Sequence, residues 1–235
     1  MIRYPYVLLD ADNTLYDFDL AEYKALGKVL SERGYTPDEE TRKIYLDINN
    51  ALWEAFARGE VKQDFLLVER FRRFEETMGG SHDPVQFNAD YVKALGSNAD
   101  LIPGALDFCR HLAELGCMLA IVTNGAAVAQ RGRYALSGLG EWIPHLFISQ
   151  ELGVNKPDPL FFDHVCRNLE ITDRAQAVVV GDSLSSDILG GNRAGIDTIW
   201  YNPHMKPLSG PARPAYTAAK FAEIEKIIAG EPAEE

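Results

Sequence analysis

Short apolar runs, each stopped by polar or turn-forming residues, recur along the chain: Tyr6 to Leu9, Met118 to Val122, Ala177 to Val180 and Thr198 to Tyr201, with a weaker fifth at Leu146 to Ile148. Runs of this length with no polar alternation predict strands buried on both faces, as in a parallel sheet. Helical stretches separate them. One starts after Pro103 and stops at Gly116, with Pro in the first turn and Gly past the end. Another opens at Asp158-Pro159, a cap followed by Pro, and carries Phe162, Val165 and Leu169. Strands alternating with helices predict a doubly wound α/β fold.

The alternation breaks between Asp17 and Asn98, where no strand pattern occurs. Thr36-Pro37-Asp38-Glu39 reads as a capping box with Pro at the first helical position. Ile44, Ile48, Leu52 and Phe56 follow at four-residue spacing, and a second helix carries Leu67, Phe71 and Phe74. The predicted organisation is an α/β core of residues 1–16 and 97–235 with a helical insertion at 17–96. An insertion after the first strand falls at the carboxyl end of the sheet, the usual ligand side, and a lid is expected. Asn202 to Tyr216 holds four prolines and is expected to be an irregular loop. SGLG at Ser137 to Gly140 reads as a helix stop. A last helix is expected from Ala218 to Ile228, then a disordered tail, GEPAEE.

Composition narrows the function classes. The chain has 235 residues, which at about 150 per domain means one large domain or one with an insertion. At 46% hydrophobic and 25% charged residues it can bury a core. The formal net charge of −12 argues against binding a nucleic acid polymer but permits a small phosphorylated ligand in a local cationic pocket. No apolar window is long enough for a membrane helix, and MIRYPYVLLDAD is too short and wrongly flanked for a signal peptide, so a soluble cytoplasmic protein is expected. Three cysteines without a CxxC pair indicate neither disulfides nor a zinc site. The five histidines show no metal-ligand spacing, and there is neither a P-loop nor GxGxxG after a strand.

The candidate chemistry sits at strand ends. Asp10-Ala11-Asp12-Asn13-Thr14 places two carboxylates after the first strand. Alone, such a pair is as well explained by turn chemistry. Gly181-Asp182-Ser183-Leu184-Ser185-Ser186-Asp187 follows another strand. Asp187 could be a helix cap, but Asp182 adds a second acidic strand end, and clustered carboxylates stay ionised only beside a cation. All-oxygen ligands point to Mg2+. Thr123-Asn124-Gly125 ends a third strand and could hold an oxyanion with a hydroxyl and backbone N–H groups, or simply be a turn. Lys156 before Pro157 reads as a surface lysine unless it lies near the carboxylates, where it would neutralise charge.

In order and spacing these four segments resemble the haloacid dehalogenase superfamily, whose motifs are DxDxT, a Ser or Thr at the second strand end, Lys, and GDxxxxD. The resemblance covers nearly the whole chain. It implies a Rossmann-like core with the first and fourth strands adjacent, a helical cap, and a Mg2+-dependent phosphatase. In that reading Asp10 is the nucleophile and Asp12 the acid and base. Thr123, Asn124, Gly125 and Lys156 bind phosphate. Asp10, the Asp12 main-chain carbonyl and Asp182 hold the metal, and Asp187 acts at one remove. An acid at Asp12 favours phosphate esters over carbon–halogen bonds, since an alkoxide leaving group needs a proton. DADNTLYDFD and the segment Ile48 to Phe56 followed by Arg58-Gly59-Glu60 are similar to the noncanonical pyrimidine 5′-nucleotidase branch, implying a nucleoside monophosphate as substrate. Trp53 and Phe56 read first as packing residues. The alternatives are a sugar-phosphate phosphatase or phosphomutase on the same core, and a regulatory protein on a retired phosphatase core. The intact motifs speak against the last.

Overall fold

The computed structural model describes residues 2–231. Six parallel strands form one sheet: β1 (Tyr6–Leu9), β2 (Met118–Thr123), β3 (His145–Ile148), β4 (Ala177–Gly181), β5 (Asp197–Tyr201) and β6 (Tyr216–Ala218), in the order β3-β2-β1-β4-β5-β6. All five strands expected from apolar runs are present, and β1 lies between β2 and β4. The register sets Leu9 opposite Ile121 and Val180, so three chains leave the sheet at one level. β6 is a correction. Its three residues fall where the proline-rich loop and the last helix were expected to meet. Tyr216-Thr217-Ala218 is too short and too polar to register as an apolar run, and pairing with β5 supplies what its own sequence lacks.

Ten α-helices occur among the described residues: α1 (Phe18–Glu32), α2 (Glu39–Ala57), α3 (Gln63–Met78), α4 (Pro84–Gly96), α5 (Ala105–Glu114), α6 (Ala127–Leu136), α7 (Ser149–Leu152), α8 (Pro159–Asn168), α9 (Leu189–Ala194) and α10 (Phe221–Ala229). The chain divides into two compact units. The sheet unit comprises residues 1–18, 100–127 and 134–235; the helical unit comprises 19–99 and 128–133.

In the sheet unit the two faces of the strands feed two apolar clusters. Val7, Leu9, Leu119, Ile121, Val178 and Val180 pack with α5 and α10 residues such as Phe108, Leu112 and Ile224. Leu8, Ala120, Val122 and Val179 pack with α8 residues Phe161, Phe162 and Val165. This two-sided burial explains the unbroken apolar runs. Asp158 caps α8 as expected, accepting from the Leu160 N–H at 2.9 Å. The last helix starts at Phe221, three residues later than expected, because β6 takes Ala218. Disorder expected for the tail falls, for residues 232–235, outside the described residues.

The helical unit contains no strand among its described residues. Two expectations need correcting. The cap of α2 is Asp38, not Thr36: its carboxylate accepts from the Thr41 N–H at 2.9 Å, and the helix begins at Glu39. The buried stripe of α2 runs through Thr41, Tyr45, Asn49, Leu52 and Phe56, while Ile44 and Ile48 are only half-buried. Polar groups enter this core because Arg70 crosses it. Its guanidinium donates to Asn49 Oδ1 at 3.2 Å, Asn88 Oδ1 at 2.8 Å and the Leu67 carbonyl, and lies 4.7 Å from the Tyr91 ring centroid. Tyr91 donates in turn to Glu22 Oε1 at 3.0 Å. Leu67, Phe71 and Phe74 of α3 are buried as their spacing predicts.

Two helices of this unit touch at glycines. A Cβ on Gly132 would lie 2.6 Å from the Gly96 carbonyl oxygen, a backbone atom that cannot turn aside. Gly132→Ala is therefore expected to lower stability by about 1–3 kcal/mol, as overpacking does. A denaturant midpoint equal to that of the unchanged protein would contradict this close approach.

Candidate active site

β1, β2 and β4 deliver the sequence-predicted residues to one place. Asp10 follows β1, and its N–H donates to the Val180 carbonyl at 2.8 Å, extending the β1–β4 pairing by one bond. Thr123 is the last residue of β2, and Asp182 follows β4. The loop after Asp10 closes tightly: the Leu15 and Tyr16 N–H groups both donate to the Ala11 carbonyl at 2.9 Å. Asn13 takes a left-handed φ of 56° there, and its Oδ1 accepts from the Phe18 N–H at 3.2 Å. An Asn side chain that bonds its own turn is what tolerates that backbone. Asp12 is partly buried, and its charge acts on both Asp10 and Asp182.

Lys156, which in isolation reads as a surface residue, is 1% exposed. Its Nζ donates to Asp10 Oδ1 at 2.6 Å, Asp187 Oδ1 at 2.6 Å and the Val122 carbonyl at 2.7 Å. All three protons of the ammonium are thus directed at oxygen. Burial by itself lowers the pKa of this ammonium, but the carboxylates of Asp10 and Asp187 outweigh it and hold the proton above the ordinary lysine value.

Asp187 is fully buried and is not the cap of the following helix. That role falls to Ser183, whose hydroxyl accepts from the Ser186 N–H at 3.3 Å at the start of a π-helical turn, Leu184–Ile188. Asp187 instead folds back, and its Oδ2 accepts from the Ser183 N–H at 3.1 Å. Gly181 makes room for this. A Cβ there would overlap the Asp187 carboxylate, which Lys156 and Ser183 fix in place.

Thr123 and Asn124 divide the work at the end of β2. The Thr123 Oγ1 accepts from the Gly125 N–H at 2.9 Å, which leaves the hydroxyl proton to be donated elsewhere. The Asn124 side chain faces Lys156: its Nδ2 donates to the Lys156 carbonyl at 2.8 Å, and its Oδ1 accepts from the Lys156 N–H at 3.0 Å. Sequence reasoning grouped Asn124 with the phosphate contacts and missed this clamp, because nothing in TNG announces a partner 32 positions away. It also missed Trp200, which reads as core but donates its indole N–H to the Asp182 carbonyl at 2.8 Å.

Asp10, Asp182 and Asp187 each place a carboxylate oxygen within 4.8 Å of the others. Burial pushes the Asp182 carboxyl up to about 7, with Asp187 adding to the effect. Burial, then Asp187, raise Asp10 as well, opposed by Lys156. One ammonium is too little charge for these acids, and an all-oxygen donor set suits a hard divalent cation. Asp187 has both oxygens engaged, so Asp10 and Asp182 have more to offer a metal.

A family profile described as haloacid dehalogenase-like hydrolase matches residues 4–195. The chain is 35% identical to the pyrimidine 5′-nucleotidase PynA of Streptococcus pneumoniae over 94% of its length and 93% of that protein's. It is 30% identical to the pyrimidine 5′-nucleotidase YjjG of Escherichia coli, covering 97% and 99% of the two chains. The crystal structure of the putative HAD-hydrolase YfnB of Bacillus subtilis, bound to magnesium, superposes with a TM-score of 0.90 at 33% identity over 96% and 99%.

The raised Asp182 carboxyl makes stability depend on pH. The unfolded chain loses this proton near the ordinary carboxyl value of 3.8, the folded chain only near 7. Between those values the folded state binds more protons, so stability falls as pH rises from about 4 to about 7 and stays lower above. Thermal melts in chelator should show this decline, a smaller one in Asp182→Asn, and recovery at pH 8 on adding a divalent cation. A melt that is flat with pH, or indifferent to the cation, would contradict the account.

Proposed function

The chain belongs to the haloacid dehalogenase-like hydrolase family, and we propose that it is a Mg2+-dependent phosphomonoesterase acting on pyrimidine nucleoside 5′-monophosphates through an aspartyl-phosphate. The observation that carries this reading is the buried Lys156 ammonium held between Asp10 and Asp187. It fixes one oxygen of Asp10 and leaves the other to attack. It also supplies positive charge where a phosphoryl group would arrive.

In this reading the side chains of Asp10 and Asp182 and the Asp12 main-chain carbonyl would hold Mg2+, which when bound lets an anionic carboxylate approach an anionic phosphate. The Asp10 oxygen attacks phosphorus while Asp12 gives its proton to the departing ester oxygen. Asp12, now ionised, takes a proton from water as that water attacks the aspartyl phosphate, releasing phosphate and restoring Asp10. The Thr123 hydroxyl and the backbone N–H groups beside it donate to phosphoryl oxygens. Asn124 and Asp187 hold Lys156 in place and are positioning residues.

Preference for pyrimidine nucleotides rests on the two relatives that carry that name, together with DADNTLYDFD and the segment Ile48 to Phe56. The strand-end residues deal only with phosphate, metal and ester oxygen. We assign selectivity to residues 17–96, proposed as the cap.

The decisive measurement is phosphate release from a panel of phosphorylated metabolites with Mg2+. Pyrimidine monophosphates should outrank purine ones, and a ranking led by sugar phosphates would replace the substrate assignment. Asp10→Asn should abolish turnover and the phosphoenzyme together. Asp12→Asn should hydrolyse a nitrophenyl phosphate slowly, losing on the order of 10²-fold or more. A phosphoenzyme trapped by acid quench in Asp10→Asn would refute Asp10 as nucleophile.

A further inference from the structure

The turn after β4 is held by its backbone from two sides. Gly181 and Trp200 form the last pair of the β4–β5 ladder, so the Asp182 carbonyl lies just beyond it. The Trp200 indole takes the place of a ladder donor, its N–H reaching that carbonyl at 2.8 Å. The other end of the same peptide unit is the Ser183 N–H, which donates to Asp187 Oδ2 at 3.1 Å. Both polar groups of the Asp182–Ser183 peptide are thus engaged, and its plane is fixed. Asp187 is anchored in turn by Lys156. Asp10 and Asp187 are fixed through their carboxylates by that ammonium. Asp182 is fixed through its backbone instead, which leaves its carboxylate to a cation.

The indole is itself backed. Trp200 is buried and packs with Ile188 and Ala212, with Leu184 and Leu189 against them. Leu184 and Ile188 belong to the π-helical turn, so one ring meets both the carbonyl before that turn and side chains within it. Ala212 comes from the loop Asn202 to Ala215, which is irregular, as expected, but pinned. Asn202 clamps Lys206, its Nδ2 donating to the Lys206 carbonyl and its Oδ1 accepting from the Lys206 N–H, both at 2.9 Å. Asn192 on α9 clamps Arg213, beside Ala212, with Nδ2 to the Arg213 carbonyl at 2.9 Å and Oδ1 from its N–H at 2.7 Å. Packing alone would be met by a phenyl ring; the indole adds a donor, and that donor is spent on Asp182.

We propose that Trp200 is a positioning residue of this site: its indole N–H presets Asp182 for a divalent cation, and the Asn192–Arg213 clamp backs the indole through Ala212. The inference rests on the reading above in which Asp182 holds Mg2+. A ligand whose backbone is already fixed has less ordering left to do when the cation binds. Lys156 orients the nucleophile, and Trp200 orients the carboxylate across from it.

The test uses the full chain, stripped of metal by chelator, with Mg2+ as the probe. The rise of Tm with Mg2+ concentration gives the dissociation constant by linkage, without turnover. Trp200→Phe keeps an aromatic ring and removes the donor. It should weaken Mg2+ binding by about ten-fold or more, the size usual when a group behind a metal ligand is lost. Activation of p-nitrophenyl phosphate hydrolysis by Mg2+ should shift by the same factor, while kcat and KM at saturating Mg2+ stay near the parent values. Benzothienylalanine at position 200 keeps the ring shape with sulfur in place of the N–H, and should give the same shift with a smaller loss of Tm. Asn192→Ala should shift Mg2+ binding in the same direction at smaller size. Ile224→Val, in the cluster on the other face of the sheet, should lower Tm and leave Mg2+ binding unchanged. An unchanged Mg2+ dissociation constant in Trp200→Phe or in the benzothienyl protein would overturn the proposal and leave Trp200 a packing residue. So would a parent protein whose Tm ignores Mg2+. A parent that binds Mg2+ but hydrolyses no phosphomonoester would defeat the functional reading, while the melts would still decide on Trp200.

Discussion

A single buried ammonium organises the carboxyl edge of the sheet. Lys156 joins the residue after β1, the carbonyl of Val122 in β2 and the turn after β4, which is three separate strand ends held on one nitrogen. Such a group stays charged in the interior because two carboxylates face it. Deprived of both Asp10 and Asp187, it would leave a charge buried without compensation, at a cost of about 3–5 kcal/mol. The attraction therefore works as a geometric constraint. The loops after β1 and β4 must converge, because otherwise neither the ammonium nor the acids could be buried. The parallel register of β1 with β2 and β4 brings the backbones level, and Lys156 converts that proximity into fixed side-chain positions.

The loops themselves lack regular hydrogen bonding, and asparagine supplies it. Asn124, Asn202 and Asn192 each present an amide that reads both the N–H and the carbonyl of one basic residue, at Lys156, Lys206 and Arg213. A primary amide is suited to this, since one side chain carries a donor and an acceptor at the spacing of a backbone peptide. The clamp satisfies backbone groups that a buried or half-buried loop would otherwise leave unpaired, and it leaves the lysine side chain to act independently. Loops held this way can carry charge at a defined place without belonging to a helix or strand.

What the sequence disclosed follows from how local each signal is. The five apolar strands were legible because two-sided burial writes an unbroken run, and α8 because Asp158-Pro159 marks its start. β6 was not, since three half-polar residues at a sheet edge owe their form to β5. The α2 stripe was displaced because Arg70, on another helix, draws Asn49 inward, and a polar residue buried by a distant partner mimics a surface one. The same holds at the site. Asp10, Asp182 and Thr123 announce themselves at strand ends, and the order of the motifs identifies the family. The depth of Lys156, the clamp of Asn124 and the indole bond of Trp200 join positions 18 to 146 residues apart and leave no trace in any one window.

The two units differ in how polar groups are used inside them. In the sheet unit, buried charge is gathered at the strand ends around Lys156. In the helical unit, Arg70 lies among Asn49, Asn88 and the Tyr91 ring, and Glu22 receives the Tyr91 hydroxyl. An apolar core of the same volume would serve stability as well or better, so this network is best understood through what it fixes. Each donor of Arg70 has an acceptor on a different segment, so sliding α2, α3 or α4 along one another would break bonds rather than trade one apolar contact for another. A helical module whose helices cannot slip keeps one surface shape. That is the property the proposed cap would need, whereas the proposed catalytic end of the sheet would need charge held in place.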